Sequence, residues 1–114
     1  MPSSRIRQVN ELLRLDFANA IQRLVELPPG VVVTVTRVHT TADLRHTTVF
    51  ISILPDHQSG STLRLIKQRL KDIISSVVEQ LSFHHIPHFH VKLDDTERLA
   101  ARLDTLLDSL RDPQ

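Results

Sequence analysis

The sequence predicts an α+β domain of two layers, in which a three-stranded sheet carries helices on one face. Two observations indicate this fold class. Between Leu63 and Leu81 apolar residues recur every three or four positions, which is the spacing of a helix with one buried stripe. After Pro87, which cannot continue a helix, residues 88–93 alternate between polar and apolar as in a half-buried strand. A long helix that leads into one such strand requires the rest of the chain to supply the other strands.

The first half of the chain predicts one helix and two strands. Residues 4–27 have an apolar stripe at helical spacing, and the sequence Pro28-Pro29-Gly30 ends this helix. Two segments rich in valine, isoleucine and threonine, 31–39 and 47–54, have the composition of strands. Because the link between them is short, we expect an antiparallel hairpin.

The second half predicts a long helix over 62–84, the strand 88–93 and a last helix over 96–111, whose first turn is acidic. The order is therefore helix, strand, strand, long helix, strand, helix, around a mixed sheet. A type II KH-like domain and a truncated ferredoxin-like domain both fit this order, and the order of the strands in the sheet stays open. We expect residues 1–114 to form a single domain, with its core at about 5–94 and a C-terminal helix at 96–111. Phe17, Phe83 and Phe89 are predicted to lie in the core.

Composition excludes several classes of function. The chain of 114 residues has no cysteine, which excludes disulfides, thiolate zinc sites and a cysteine nucleophile. Its two glycines exclude a glycine-rich phosphate loop, and no catalytic motif is present, so we expect neither an enzyme nor a cofactor nor a small-molecule substrate. The sequence lacks an apolar run of membrane-spanning length and a signal peptide, and its start is polar and basic. We therefore expect a cytoplasmic protein that does not contact a membrane.

Charge is distributed unevenly along the chain, although the net charge is only +1. On a helical wheel Arg64, Lys67 and Lys71 lie on one shoulder of the long helix, whereas the last helix is acidic. Cations along one edge suit the phosphate backbone of a nucleic acid, and a solvated helix face is the alternative interpretation.

Histidines and one aromatic residue are the other candidates for a site. His88 and His90 project from the same side of one strand, but a stable metal site needs a third ligand, and no H-E-x-x-H motif is present. We therefore expect solvated or RNA-facing histidines and no metal. Phe50 lies in the opposite phase to Val49 and Ile51, which places it on the open face of the sheet, where it either stacks on a base or packs locally.

Three segments resemble the ribosome-binding factor A family. The hairpin sequences VTRVHTTADL (35–44) and VFISIL (49–54) are similar to that family's pattern V-T-x-V-x-x-S-x-D-L … V-x-V-x-x-L. The segment IPHFHVKLDDT (86–96) resembles its V-P-x-L-x-F-x-x-D-x-S pattern, and RIRQV (5–9) is similar to its basic R-V opening. The likeness covers about residues 5–111, with the motifs in the same order and spacing.

The resemblance implies a type II KH-like fold and a non-enzymatic assembly factor. Such a factor binds the small (30S) ribosomal subunit and its 16S ribosomal RNA and aids rRNA maturation, and we expect it to be a monomer. The residues that we expect to contact RNA are Arg5, Arg7, Arg45, Arg64, Lys67, Lys71, His85, His88, His90 and Lys92. The alternative is a small protein-interaction domain that pairs through its sheet face or its acidic C-terminal helix, without RNA.

Several positions depart from the family, among them Ile74 in place of an arginine and Thr41 and Thr96 in place of serine, and the long helix is the least family-like feature. In the family this helix is kinked at an Ala-x-Gly sequence, which by counting back from Pro87 falls at Arg69-Leu70-Lys71 here. Glycine weakens a helix by about 1 kcal/mol relative to alanine and so favours a bend. Without these residues the sequence predicts either a straighter helix or a break at Ser75-Ser76.

Overall fold

A three-stranded mixed sheet forms the centre of the fold. The computed structural model describes residues 4–81 and 85–111. Strands β1 (Val32–Thr40), β2 (His46–Leu54) and β3 (His88–Leu93) lie in the order β1-β2-β3. β1 and β2 are antiparallel, as the short link predicts, whereas β2 and β3 are parallel. The mixed sheet is therefore confirmed, and the structure adds the strand order that the sequence left open.

The pairing of β1 with β2 contains one irregularity. The register shifts between Val35, which pairs with Ile51, and Arg37, which pairs with Phe50, so Thr36 is an extra residue on β1. Such a β-bulge turns the side chain of the inserted residue away from the regular alternation. Here the Thr36 hydroxyl oxygen lies 3.2 Å from the carbonyl oxygen of Phe50.

Helices α1 (Ser4–Leu24), α2 (Ser59–Gln68) and α3 (Leu70–Gln80) cover one face of the sheet, and a 3-10 turn at Asp56–Gln58 precedes α2. α1 ends at Leu24, three residues before the predicted end. The proline at position 28 disfavours helical backbone in the residue before it, so the chain leaves the helix before it reaches the prolines.

The core lies between these helices and the sheet. Leu13 and Phe17 of α1 and Ile51 of β2 are completely buried, together with Ile66 of α2 and Ile73 of α3. The Phe17 ring centroid lies 5.4 Å from that of Phe89 on β3, and the two rings are tilted by 45°. The core positions predicted for Phe17 and Phe89 are therefore occupied by packed rings, with Phe89 half-buried. Phe83 and the predicted helix end at His84 lie outside the described residues.

The predicted long helix is divided at Arg69. This residue has φ −102° and ψ 9°, and its N–H donates to the carbonyl oxygen of Ile66 at 3.1 Å, one residue closer than in an α-helix. The prediction of a straighter helix or a break at Ser75-Ser76 was wrong, because both serines lie inside α3. The two halves pack on different partners, α2 against β2 and β3 and α3 against α1, so a bend lets each bury its own apolar stripe.

The last helix, α4 (Thr96–Arg111), has the predicted bounds but does not join the helical layer. Every described side chain along α4 is exposed, and its apolar stripe is uncovered. The exposed fractions are 53% for Leu99, 57% for Leu103, 61% for Leu106, 41% for Leu107 and 80% for Leu110. The predicted layer of helices on one face of the sheet is therefore formed by α1 to α3.

Among the described helices, none is long and apolar enough to cross a membrane.

Candidate nucleic-acid interface

One groove brings together predicted RNA contacts from distant parts of the sequence. It has a volume of about 1030 Å³ and lies between the start of α1, the β1–β2 turn and the segment before β3. Arg5, Arg45, His85 and His88 all line it, beside Asp43. A groove with two arginines and two histidines suits a phosphate group, and the sequence had predicted all four without indicating that they meet.

The turn between β1 and β2 fixes the position of Arg45 in this groove. Leu44 has a positive φ of 61°, a rare conformation for a residue with a side chain. Asp43 stabilises the turn, since its Oδ1 accepts hydrogen bonds from the Thr41 hydroxyl at 2.6 Å and the Arg45 N–H at 3.0 Å. These two bonds, the Thr41 one first, lower the pKa of Asp43 and keep an anion beside Arg45.

A second basic surface lies on α2 and the start of α3. Arg64 and Lys67 line a shallow hollow of about 410 Å³ together with Gly60, Leu63 and Gln68. Lys71 follows on the other side of the helix break and is exposed.

The cations of this second surface differ in their pairing. The Arg69 Nε lies 3.5 Å from the Asp72 Oδ2, so the positive charge of Arg69 is partly balanced. Within residues 4–81 and 85–111, no salt bridge engages Arg64, Lys67 or Lys71. These three cations are therefore available to an external anion.

The third surface is the face of the sheet opposite the helices, where His88, His90 and Lys92 project from β3. The structure adds His46, which sequence reasoning missed. His46 is paired with His88 across β2 and β3, and its Nδ1 lies 3.2 Å from Nε2 of His90. Only the register of the parallel strands brings these rings together, and no motif in the sequence encodes it. Among the described residues, no group of three or more potential ligands is arranged to hold a metal ion.

All the predicted RNA contacts except Arg7 thus lie on three surfaces, with His88 at the boundary between the groove and the sheet face. Arg7 is exposed on α1 and lines neither the groove nor the hollow.

Asp94, at the end of β3, connects three elements beside the open face of the sheet. Its Oδ2 accepts a hydrogen bond from the Thr36 hydroxyl at 2.6 Å. Its Oδ1 accepts one from the Thr96 N–H at 3.0 Å and another from the Thr96 hydroxyl, at the start of α4. The Thr36 bond first, then those from Thr96 and the nearby Arg37, lower the pKa of Asp94 to about 2. Asp94 therefore caps the start of α4, as its place in the sequence indicates, and it also links the end of β3 to β1 by a hydrogen bond.

This network predicts a specific loss of stability in acid. Because the pKa of Asp94 is lower in the folded chain than its ordinary value of 3.8, the carboxylate stabilises the fold fully above about pH 5. That contribution, about 2 kcal/mol, is lost as the pH falls towards 2. We expect Asp94→Asn to lower the free energy of unfolding at pH 7, measured by urea denaturation. At pH 3 we expect a smaller difference in the free energy of unfolding between the unsubstituted protein and this variant. Asp104→Asn, in the exposed helix α4, is the control. If the unsubstituted protein and Asp94→Asn differ in their free energy of unfolding by the same amount at both pH values, this role of Asp94 is contradicted.

Comparisons with known proteins agree with this fold. The sequence model of the family Ribosome-binding factor A matches residues 5–107. Proteins named Ribosome-binding factor A from Thermomicrobium roseum and Akkermansia muciniphila are 36% and 32% identical to this chain over 108 residues. These alignments cover 94% and 95% of this chain and 84% and 86% of the two relatives.

The crystal structure of ribosome-binding factor A from Thermus thermophilus has a TM-score of 0.66 with this chain at 16% identity. The superposition covers 77% of this chain and 94% of that one, and it supports the fold alone. The predicted KH-like α+β fold is thereby confirmed. From the family match and the identity to these relatives, the chain belongs to the ribosome-binding factor A family.

Proposed function

We propose that this protein is a non-enzymatic assembly factor that binds the small (30S) ribosomal subunit and its 16S ribosomal RNA and aids rRNA maturation in the cytoplasm. The observation that carries the proposal is the exposed row of Arg64, Lys67 and Lys71 in a chain of this family. The relatives' name, Ribosome-binding factor A, supports a ribosomal partner.

Binding in this proposal depends mainly on phosphates. A cation that replaces condensed counterions along RNA gains free energy when those counterions are released, without reading the base sequence. Arg64 and Lys67, one helical turn apart on α2, and the exposed Lys71 at the start of α3 supply such cations. We include in the same proposal the groove residues Arg5, Arg45, His85 and His88, and also Arg7, His90 and Lys92 on the surrounding surface.

The test is co-sedimentation of the protein with purified 30S subunits at constant magnesium concentration and varied monovalent salt. With three phosphate contacts the logarithm of the binding constant falls by about 2 to 3 per decade of salt. Raising the salt from about 50 to about 200 mM is therefore expected to weaken binding by about 20-fold or more. The proposal is wrong if the protein fails to sediment with 30S subunits at low salt, or if binding is equally strong at high salt.

A second candidate function is suggested by α4. Its exposed leucines, with acidic residues between them, are typical of a helix that docks on another protein. In this case the chain is a protein-interaction domain without an RNA role. Capture of ribosomal components from lysate separates the two candidates, because RNase abolishes the capture only if RNA is the partner.

A further inference from the structure

The sheet face opposite the helices is uncovered in the described part of the chain. β1, β2 and β3 turn their apolar residues, such as Val35, Ile51 and Val91, towards α1 to α3. Their alternate side chains point the other way and, apart from the exposed pair Val32 and Leu54, are polar, aromatic or basic. An open sheet face usually carries scattered small polar residues, so a concentration of rings on it requires an explanation.

Three imidazoles stand side by side on this face. The His46 ring centroid lies 5.6 Å from that of His88 and 5.5 Å from that of His90, with interplanar angles of 30° and 23°. The distance of 3.2 Å between His46 Nδ1 and His90 Nε2 makes these two rings edge-to-edge neighbours in roughly parallel planes. All three residues are exposed, so their rings are accessible from solvent. Planar rings held in a roughly common orientation on a rigid sheet form a preorganised stacking surface.

Phe50 extends this surface along β2. The guanidinium carbon of Arg37 lies 3.9 Å from the centroid of the Phe50 ring, a cation–π contact that presents the planar guanidinium outwards. Lys92 is paired with Phe50 in the β2–β3 register and adds a second cation at the same level of the sheet. The carboxylate of Asp94 accepts hydrogen bonds from Thr36 and Thr96, and its Oδ2 also lies 4.0 Å from the Arg37 Nε, so the charge of Arg37 is partly balanced. The face therefore combines stacking groups with positive charge.

We propose that this sheet face binds a single-stranded segment of RNA, with bases stacked on the row of His46, His88 and His90 and on Arg37 over Phe50, and with phosphates beside Lys92. Base stacking on sheet-borne aromatic rings, with cations along the backbone, is how proteins hold single strands with little sequence preference. An acidic protein partner would use the cations but would gain nothing from parallel rings, so the observations favour RNA. This proposal rests on the proposed function in one respect, namely that the ligand is RNA. The surface that it concerns is separate from that of Arg64, Lys67 and Lys71.

The test uses the full chain and a fluorescein-labelled single-stranded RNA octamer of mixed sequence, with fluorescence anisotropy for affinity. The double variant His46→Thr/His90→Thr removes two rings at solvent-accessible positions and inserts a residue that suits strands. We expect it to weaken RNA binding by about tenfold or more. His57→Thr removes an exposed histidine from the 3-10 turn and is expected to leave binding unchanged. Phe50→Leu provides a second stacking variant, and thermal melts confirm that each variant is folded.

A measurement on the unsubstituted protein keeps the test independent of the variants' folding. In two-dimensional NMR the octamer is expected to shift the backbone amide signals of β2 and β3 more than those of α2 and α3. Shifts confined to the helices, or equal competition by inorganic polyphosphate or by a polyglutamate peptide, would overturn the proposal. If 30S subunits still bind in that case, the proposed function stands and only the sheet face is excluded. Octamer shifts in β2 and β3 without any binding of 30S subunits would support the RNA site on the sheet face and overturn the proposed function.

Discussion

Replacing both Lys67 and Lys71 with glutamate is expected to weaken binding to 30S subunits by about 100-fold. Each reversal removes one phosphate contact and places an anion against the RNA backbone, which costs about 1.4 kcal/mol or more, or about tenfold in affinity. The salt dependence is expected to become less steep by about one unit for each lysine. Co-sedimentation at several salt concentrations measures both quantities.

The fold is expected to survive these substitutions. Both lysines are exposed and without a salt bridge among the described residues, so the free energy of unfolding changes by no more than about 0.5 kcal/mol each. Lys67→Glu and Lys71→Glu are also measured singly, and Arg102→Glu in the exposed helix α4 is their matched control, because it changes the net charge by the same amount at a different place. Equal loss of binding in Arg102→Glu would indicate a general charge effect and would contradict a specific contact at α2 and α3.

Replacing Phe17 with alanine is expected to lower the free energy of unfolding by about 3 to 5 kcal/mol. Phe17 is completely buried and its ring packs against Phe89, so truncation leaves a cavity between α1 and β3. Because small domains are stable by only about 5 to 15 kcal/mol, this loss removes a large part of the free energy of unfolding. Urea denaturation followed by circular dichroism measures the change.

The control for this substitution lies on the same helix. Leu12 is 49% exposed, and Leu12→Ala is expected to change stability by less than about 1 kcal/mol, since it opens no cavity and alanine favours helices. If the two variants lose similar amounts of stability, the packing of α1 on the sheet through Phe17 is wrong.

The parts of the fold that could be predicted are those encoded by local periodicity. Alternation placed β3 at 88–93 with the observed bounds, and the apolar spacing of α1 identified the buried Leu13 and Phe17. The acidic residues just before α4 predicted its start correctly, because a carboxylate such as that of Asp94 accepts hydrogen bonds from the free N–H groups of the first helical turn. These signals act within a few residues of each other.

The parts that could not be predicted depend on contacts between distant segments. The pairing of His46 with His88 follows from parallel strand register, which no local pattern encodes. The bulge at Thr36 places Arg37 opposite Phe50, one residue out of the regular phase, and so determines the cation–π contact. The uncovered stripe of α4 is likewise a tertiary outcome, since the same leucine spacing is compatible with a packed helix.

The interruption at Arg69 has a consequence for how relatives of this chain are recognised. The bend falls at the segment where the family's Ala-x-Gly is expected, although arginine, leucine and lysine stand there instead. Buried residues on both sides of the interruption, Thr62 and Ile66 on α2 and Ile73 and Val77 on α3, anchor both helices in the core, so packing maintains the interruption without a glycine. A search that demands the Ala-x-Gly signature would therefore overlook homologues of this kind.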